Sequence, residues 1–235
     1  MHVTLQQLRA KHARRSPGTA YLGIECALLF GLLPALLILL QRRGGIPFFP
    51  ILLGITALTA LLAFFDPRIA FTQPSPRPPA APHLRRILLR VLSAALLLSL
   101  YTHLRHPALL LHLPRERTGL WLLILLLYPL LSVLPQHVLF RTFFLQRYPP
   151  LFGNGKFMRS INALLFGWAH AFFLNPLAPI LSLIAGYLLA DTWQRSRSLR
   201  LTCLEHALYG QIIFTTGLGW FFYNGSAQAI QTLID

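Results

Sequence analysis

Acidic residues are sparse in this chain. It carries six Asp and Glu against 21 Lys and Arg, a formal charge of +15 over 235 residues, and charged residues of both signs make up only 11%. A water-soluble domain carries roughly a quarter charged residues, so this deficit excludes an ordinary aqueous surface and points to a bilayer. Cysteine is scarcer still. Cys26 and Cys203 both fall inside apolar runs, which excludes a disulfide framework and reads as two buried free thiols. The sequence also lacks a glycine-rich phosphate loop, a CxxC pair and any internal repeat.

What is present is apolar: 55% of residues are hydrophobic and the mean hydropathy is +0.57. Crossing a hydrocarbon core of ~30 Å takes about 20 mostly apolar residues. Runs near that length occupy 18–40, 46–65, 87–104, 119–145, 157–174, 177–193 and 201–223. The expected fold is all-α, a polytopic transmembrane helix bundle of about seven spans. The first run is too long for a signal peptide, lacks a small-residue cleavage pattern and runs at once into "QRRGG" and another span, so it is expected to stay in the protein.

Basic residues near span ends are retained on the cytoplasmic side. With the N-terminus inside, the inner segments hold Arg9, Lys11, Arg14, Arg15, Arg68, Arg77, Arg85, Arg86, Arg147, Lys156, Arg159, Arg195, Arg197 and Arg200. The outer segments hold only Arg42, Arg43, Arg105, Arg115 and Arg117. The asymmetry predicts a multi-pass protein of the cytoplasmic (inner) membrane with its N-terminus in the cytoplasm. Losing one weak span, such as 87–104, would reverse everything after it. Because the basic residues are scattered among short loops, no nucleic-acid partner is expected; the inner arginines suit anionic headgroups, so membrane lipids are expected partners.

The segment 66–86, with "QPSPRPPAAPH", is a linker, because its prolines remove donors and forbid helix. It divides the chain into 1–86, with a cytoplasmic segment and two spans, and 87–235, a bundle carrying the polar site. A second break falls at "LFGNGK" near Phe152. In the N-terminal pair of spans only Glu25 is out of place. A carboxylate there can mark a functional site, but its position near the start of the span lets it reach the interface, and the structural reading is preferred.

In the second part, buried polar residues gather in three stretches. "PQHVLFR" carries Gln136, His137 and Arg141; His137 and Arg141 are four apart and share a helix face, with Gln136 about 100° away. "FGWAH" carries Phe166 and His170, and "EHALYG" carries His206 and Gly210, again four apart. One histidine on an apolar helix is most often a packing residue. Three histidines on three helices are costly to bury separately, whereas a shared polar cavity would solvate all of them.

The order and spacing of these residues resemble the CPBP family of intramembrane proteases, also called Abi, which includes the type II CAAX prenyl endopeptidases. Its motifs are EExxxR, FxxxH and HxxxN, on successive membrane helices. The resemblance covers roughly 128–224 and is best at Arg141, at Phe166 with His170, and at His206, with "RTFFLQRY", "SINALLFGWAH" and "SLRLTCLEHALYG" around them. It implies an endopeptidase that cleaves a hydrophobic or lipidated peptide within or beside the membrane. In the family, a motif glutamate and the histidine of the second motif activate water, and the third motif steadies the oxyanion. Two departures stand out: Gln136 and His137 replace the two glutamates, and Gly210 replaces the asparagine.

A glutamine amide cannot serve as a general base near neutral pH, but an imidazole can. The remaining chemistry uses His137 or His170 to activate water. His206 and Gln136 then donate to the oxyanion, and Arg141 orients His137 or a backbone carbonyl. A second possibility is zinc held by His137, His170 and His206, with Asp191 or Glu25 as supporting groups. A third is an inactive relative that binds a membrane peptide, or acts as a partner or immunity protein. A transporter is the weakest reading, because corresponding broken helices are absent.

Overall fold

The computed structural model describes residues 17–66, 69–70 and 79–222. The basic N-terminal segment, residues 67–68 and 71–78 of the proline-rich linker and the end of the last expected span lie outside these residues. The expectation that prolines forbid helix throughout 66–86 fails at its end: 80–86 are helical, with Pro82 in the first turn, where a missing N–H costs nothing. Among the described residues the chain is helical, without a strand. Seven long helices follow one another: α1 Thr19–Gly44, α2 Phe48–Phe65, α3 Ala80–Arg105, α4 Thr118–Arg147, α5 Lys156–His170, α6 Leu177–Ser196 and α7 Leu199–Thr216. Of these, α1 to α4 are long and apolar enough to cross a membrane. The protein is an all-α membrane helical protein.

Its outer surface explains the composition. Leu96 and Leu126 are each 69% exposed, and Leu88, Leu92, Leu122 and Leu130 are exposed as well. Such a belt suits acyl chains, which are as apolar as the leucines themselves. Cys26 and Cys203 are free thiols, Cys26 buried and Cys203 partly so.

Two buried ionic clusters set the direction of the helices. In the first, Arg147 at the end of α4 donates to Glu25 through Nε at 2.9 Å and Nη2 at 2.8 Å, and to Asp66 at the end of α2 at 2.5 Å. The Tyr148 hydroxyl adds a bond of 2.9 Å to Glu25. In the second, Arg90 near the start of α3 reaches Asp191 at 2.7 Å and Glu205 at 3.3 Å, while Arg159 and Arg195 also hold Asp191, at 2.5 and 2.7 Å. Odd-numbered helices therefore begin, and even-numbered helices end, at one end of the bundle. Glu25 is structural, as its sequence position suggested, but through a buried partner and not through the interface.

The core of the bundle is close-packed between α5 and α6. A Cβ added to Gly167 would lie 2.9 Å from both Leu183 Cβ and the Pro179 carbonyl, and one on Gly186 would lie 3.1 Å from Phe166 Cδ1. Only glycine permits this approach, the usual device by which membrane helices gain contact.

The helix α4 is not uniform. Its α-helical turns are interrupted by π-helical segments at Pro129–Val133 and Val138–Phe144, with the short α segment Leu134–His137 between them. Pro129 has no N–H to offer Leu125, four residues back. The freed Leu125 carbonyl accepts instead from Gln211 of α7 at 3.4 Å. The π segment Ala27–Leu32 of α1 behaves alike: the Gly31 carbonyl accepts from the Trp168 indole of α5 at 3.1 Å. Each irregularity thus becomes a contact between helices.

Candidate active site

In the first motif, Gln136 and His137 lie between the two π segments of α4 and Arg141 within the second; His137 is about ten residues before Arg147, roughly 15 Å along the helix from the ionic end. Its polar side chains are almost wholly enclosed: His137 is 1% exposed and Arg141 0%. They diverge from there. His137 turns to α7, where its Nε2 lies 3.0 Å from Nδ1 of His206. Arg141 turns to α5 and α6, bonding the Asn162 side chain through Nη1 and donating to the Gly186 carbonyl through Nη2 at 3.2 Å.

The expectation that Arg141 orients His137 or a backbone carbonyl thus resolves to the carbonyl, that of Gly186. Its guanidinium also stands over the Phe166 ring, 5.3 Å from the centroid. Asn162 in turn donates to the Phe140 carbonyl at 3.0 Å. Reading the sequence missed Asn162; a wholly buried amide in "SINALL" is the signal that would have found it.

His170 takes a separate position. Its Nδ1 lies 2.7 Å from the Phe166 carbonyl, and its ring packs on the Phe166 ring with centroids 4.5 Å apart. Phe166 also meets His206 at 5.8 Å. One phenyl ring therefore sits against two of the three histidines. Because a carbonyl can only accept, Nδ1 of His170 carries the proton, and Nε2 of the neutral ring keeps its lone pair.

His170 and Gln136 face an apolar groove. Leu33 and Leu37 of α1, Phe48 and Leu52 of α2, and Leu139 and Ala169 help to line it. Gln136 donates to Ser132 at 2.8 Å, and its Oε1 is buried without a partner. His137, Arg141 and His206 lie behind this wall and not on it. The single shared cavity expected for three histidines is thus two layers: Gln136 and His170 on the groove, and a bonded His137–His206 pair beneath.

Tyr128 completes the lower layer. Its hydroxyl lies 3.1 Å from Nε2 of His206. A Cβ on Gly210 would fall within the Tyr128 ring, so the glycine of the third motif makes room for this side chain. Gly210 of α7 thus lets another helix approach closely, through Tyr128 of α4.

Zinc fits this arrangement poorly. Both ring nitrogens of His206 are engaged, and His170 turns one nitrogen to its own helix, so the three imidazoles do not offer converging lone pairs. Among the described residues no group of three or more His, Cys, Asp or Glu side chains is placed to hold a metal ion. Asp191 and Glu25, expected as supporting groups for such a site, are bound in the ionic clusters instead.

The fold and this site define a membrane-embedded helical protein with a histidine-bearing apolar groove. Residues 118–223 match the family model described as "Type II CAAX prenyl endopeptidase Rce1-like". The match spans α4 to the end of the described chain and is consistent with the CPBP resemblance carried by the motifs. It supports a membrane endopeptidase in general terms. Comparison with curated proteins finds no match, and neither does comparison with solved structures.

Proposed function

We propose that the protein is an intramembrane endopeptidase of the CPBP type that cuts a hydrophobic or lipidated peptide lying in the groove, with His170 as the general base. The observation that carries this reading is the setting of His170. It lines the groove, and the Phe166 carbonyl holds its Nδ1–H so that the basic Nε2 is the nitrogen left free. This does the orienting that a carboxylate does behind the histidine of other hydrolases. His137 is a poorer base, since its Nε2 is already bonded to His206.

Water in the groove gives a proton to Nε2 of His170 as its oxygen attacks the scissile carbonyl carbon. The oxyanion that forms is stabilised by buried N–H donors, and the imidazolium returns its proton to the leaving nitrogen as the C–N bond breaks. The apolar walls suit a hydrophobic side chain or lipid tail, and the orphaned Gln136 Oε1 suits a backbone N–H of the substrate. Gln136 is thus better placed to accept from the peptide than to serve the oxyanion. The surplus of basic residues at the ionic end is consistent with a cytoplasmic-membrane protein whose N-terminus is inside.

The test is cleavage of lipidated and unlipidated peptides by the purified protein beside His170→Ala and His137→Glu. Cleavage that His170→Ala abolishes supports the reading. A protein that cuts nothing until His137→Glu restores a carboxylate would overturn it in favour of a binding relative.

A further inference from the structure

The lower layer is a chain of hydrogen bonds whose direction follows from the strengths of its donors and acceptors. Tyr128 and His206 are 3.1 Å apart, His206 and His137 are 3.0 Å apart, and Nδ1 of His137 is buried with no partner. Among the described residues the Tyr128 hydroxyl has no other hydrogen bond. If it donates to Nε2 of His206, then Nδ1 of His206 carries a proton and donates to Nε2 of His137. His137 is left with its proton on Nδ1, so an imidazole N–H and the Tyr128 oxygen lone pair go unmet. If the chain runs the other way, the Tyr128 hydroxyl proton and the His137 lone pair go unmet. The counts are equal, and the first direction wins on bond strength: a phenol O–H is a stronger donor than an imidazole N–H, and an imidazole nitrogen is a better acceptor than a phenol oxygen.

We infer that Tyr128 is a positioning residue: it locks His206 and His137 in the Nδ1–H tautomer, so that His137 keeps an N–H donor that no protein atom accepts. Arg141 supplies a second unmet donor, Nε, also buried without a partner and four residues along the same helix. Each is a buried donor without an acceptor, His137 on the side of α7 and Arg141 on the side of α5 and α6. His137 is then neither base nor metal ligand but a hydrogen-bond donor behind the groove. Gly210 belongs to the same device, because any side chain there would displace the Tyr128 ring. This inference rests on the endopeptidase reading for its catalytic purpose, while the tautomer lock stands on geometry.

The experiment is nitrogen NMR of the full chain labelled with 15N-histidine in lipid nanodiscs. Assignments come from His137→Gln and His206→Gln. The unmodified protein is expected to show Nδ1 protonated and Nε2 bare at both positions, the reverse of what free histidine favours in water. In Tyr128→Phe both rings should change together while His170, held by the Phe166 carbonyl, does not. Turnover should fall about 10²-fold, with KM changed less than about twofold. A proton on Nε2 of His206 in the unmodified protein, or rings indifferent to Tyr128→Phe, would overturn the lock. The first measurement needs no variant, so misfolding of Tyr128→Phe cannot shield the inference. A protein that shows the expected tautomers yet cuts no peptide upholds the lock and overturns the cleavage reading.

Discussion

Two buried polar regions in this bundle are built on opposite rules. At the ionic end, Arg147 satisfies Glu25 and Asp66, and Arg90, Arg159 and Arg195 surround Asp191. Charges there are matched, and among the described residues the one buried orphan is Oε2 of Glu205. Around the histidines, unmet atoms gather within one short stretch of α4: Oε1 of Gln136, Nδ1 of His137 and Nε of Arg141. A region that holds helices together closes its valences; a region that handles a ligand leaves them open.

Removing the base should give the sharpest break between the two. His170→Ala is expected to lower peptide cleavage about 10³-fold while the unfolding midpoint in detergent stays close to that of the unmodified protein. A matching loss of stability would put His170 among the structural residues. At the ionic end the effects should be reversed. Arg147→Met strands two buried carboxylates and should cost about 3–5 kcal/mol of stability, and adding Glu25→Gln and Asp66→Asn should recover most of it. Thermal unfolding of the single and triple variants checks this.

Gly210→Ala lies between the two regions in kind, because it disturbs packing within the site. Its Cβ would meet the Tyr128 ring, and overpacking of this sort costs about 1–3 kcal/mol. Tyr128→Ala in the same chain should relieve it, a coupling that a double-mutant cycle reads directly. Filling the groove is milder. Ala169→Phe should raise KM about tenfold with kcat retained, roughly the 1.4 kcal/mol of a tenfold change in binding, as measured by steady-state kinetics. The smallest effect is expected from a chelator, which should leave cleavage unchanged. Inhibition that added zinc reverses would restore the metal alternative.

Four of the helices were legible as long apolar runs and the other three as apolar stretches between breaks, and the groove-facing histidine was legible because an imidazole in such a stretch is conspicuous. Three things were not. Tyr128 looks like any aromatic within a span, and the space left by Gly210 shows that it belongs to the site. Arg141 was visible, but its partner Asn162 lies 21 residues away on another helix, a pairing set by tertiary packing and not by helical spacing. The two-layered arrangement arises from the π-helical stretch after His137. By altering the helical repeat there, it helps to send His137 to α7 and Arg141 to α5 and α6, where a plain α-helix suggested a shared face.

The ionic clusters also have a mechanical meaning. They gather at one end, whereas the groove is walled by Leu37 of α1, Phe48 of α2 and His170 of α5, each more than ten residues from its helix's ionic partner. Among the described residues no ion pair joins these helices at the groove. Away from the charged end these helices meet through apolar contacts and the Trp168–Gly31 hydrogen bond, so parting them there would uncover no buried charge.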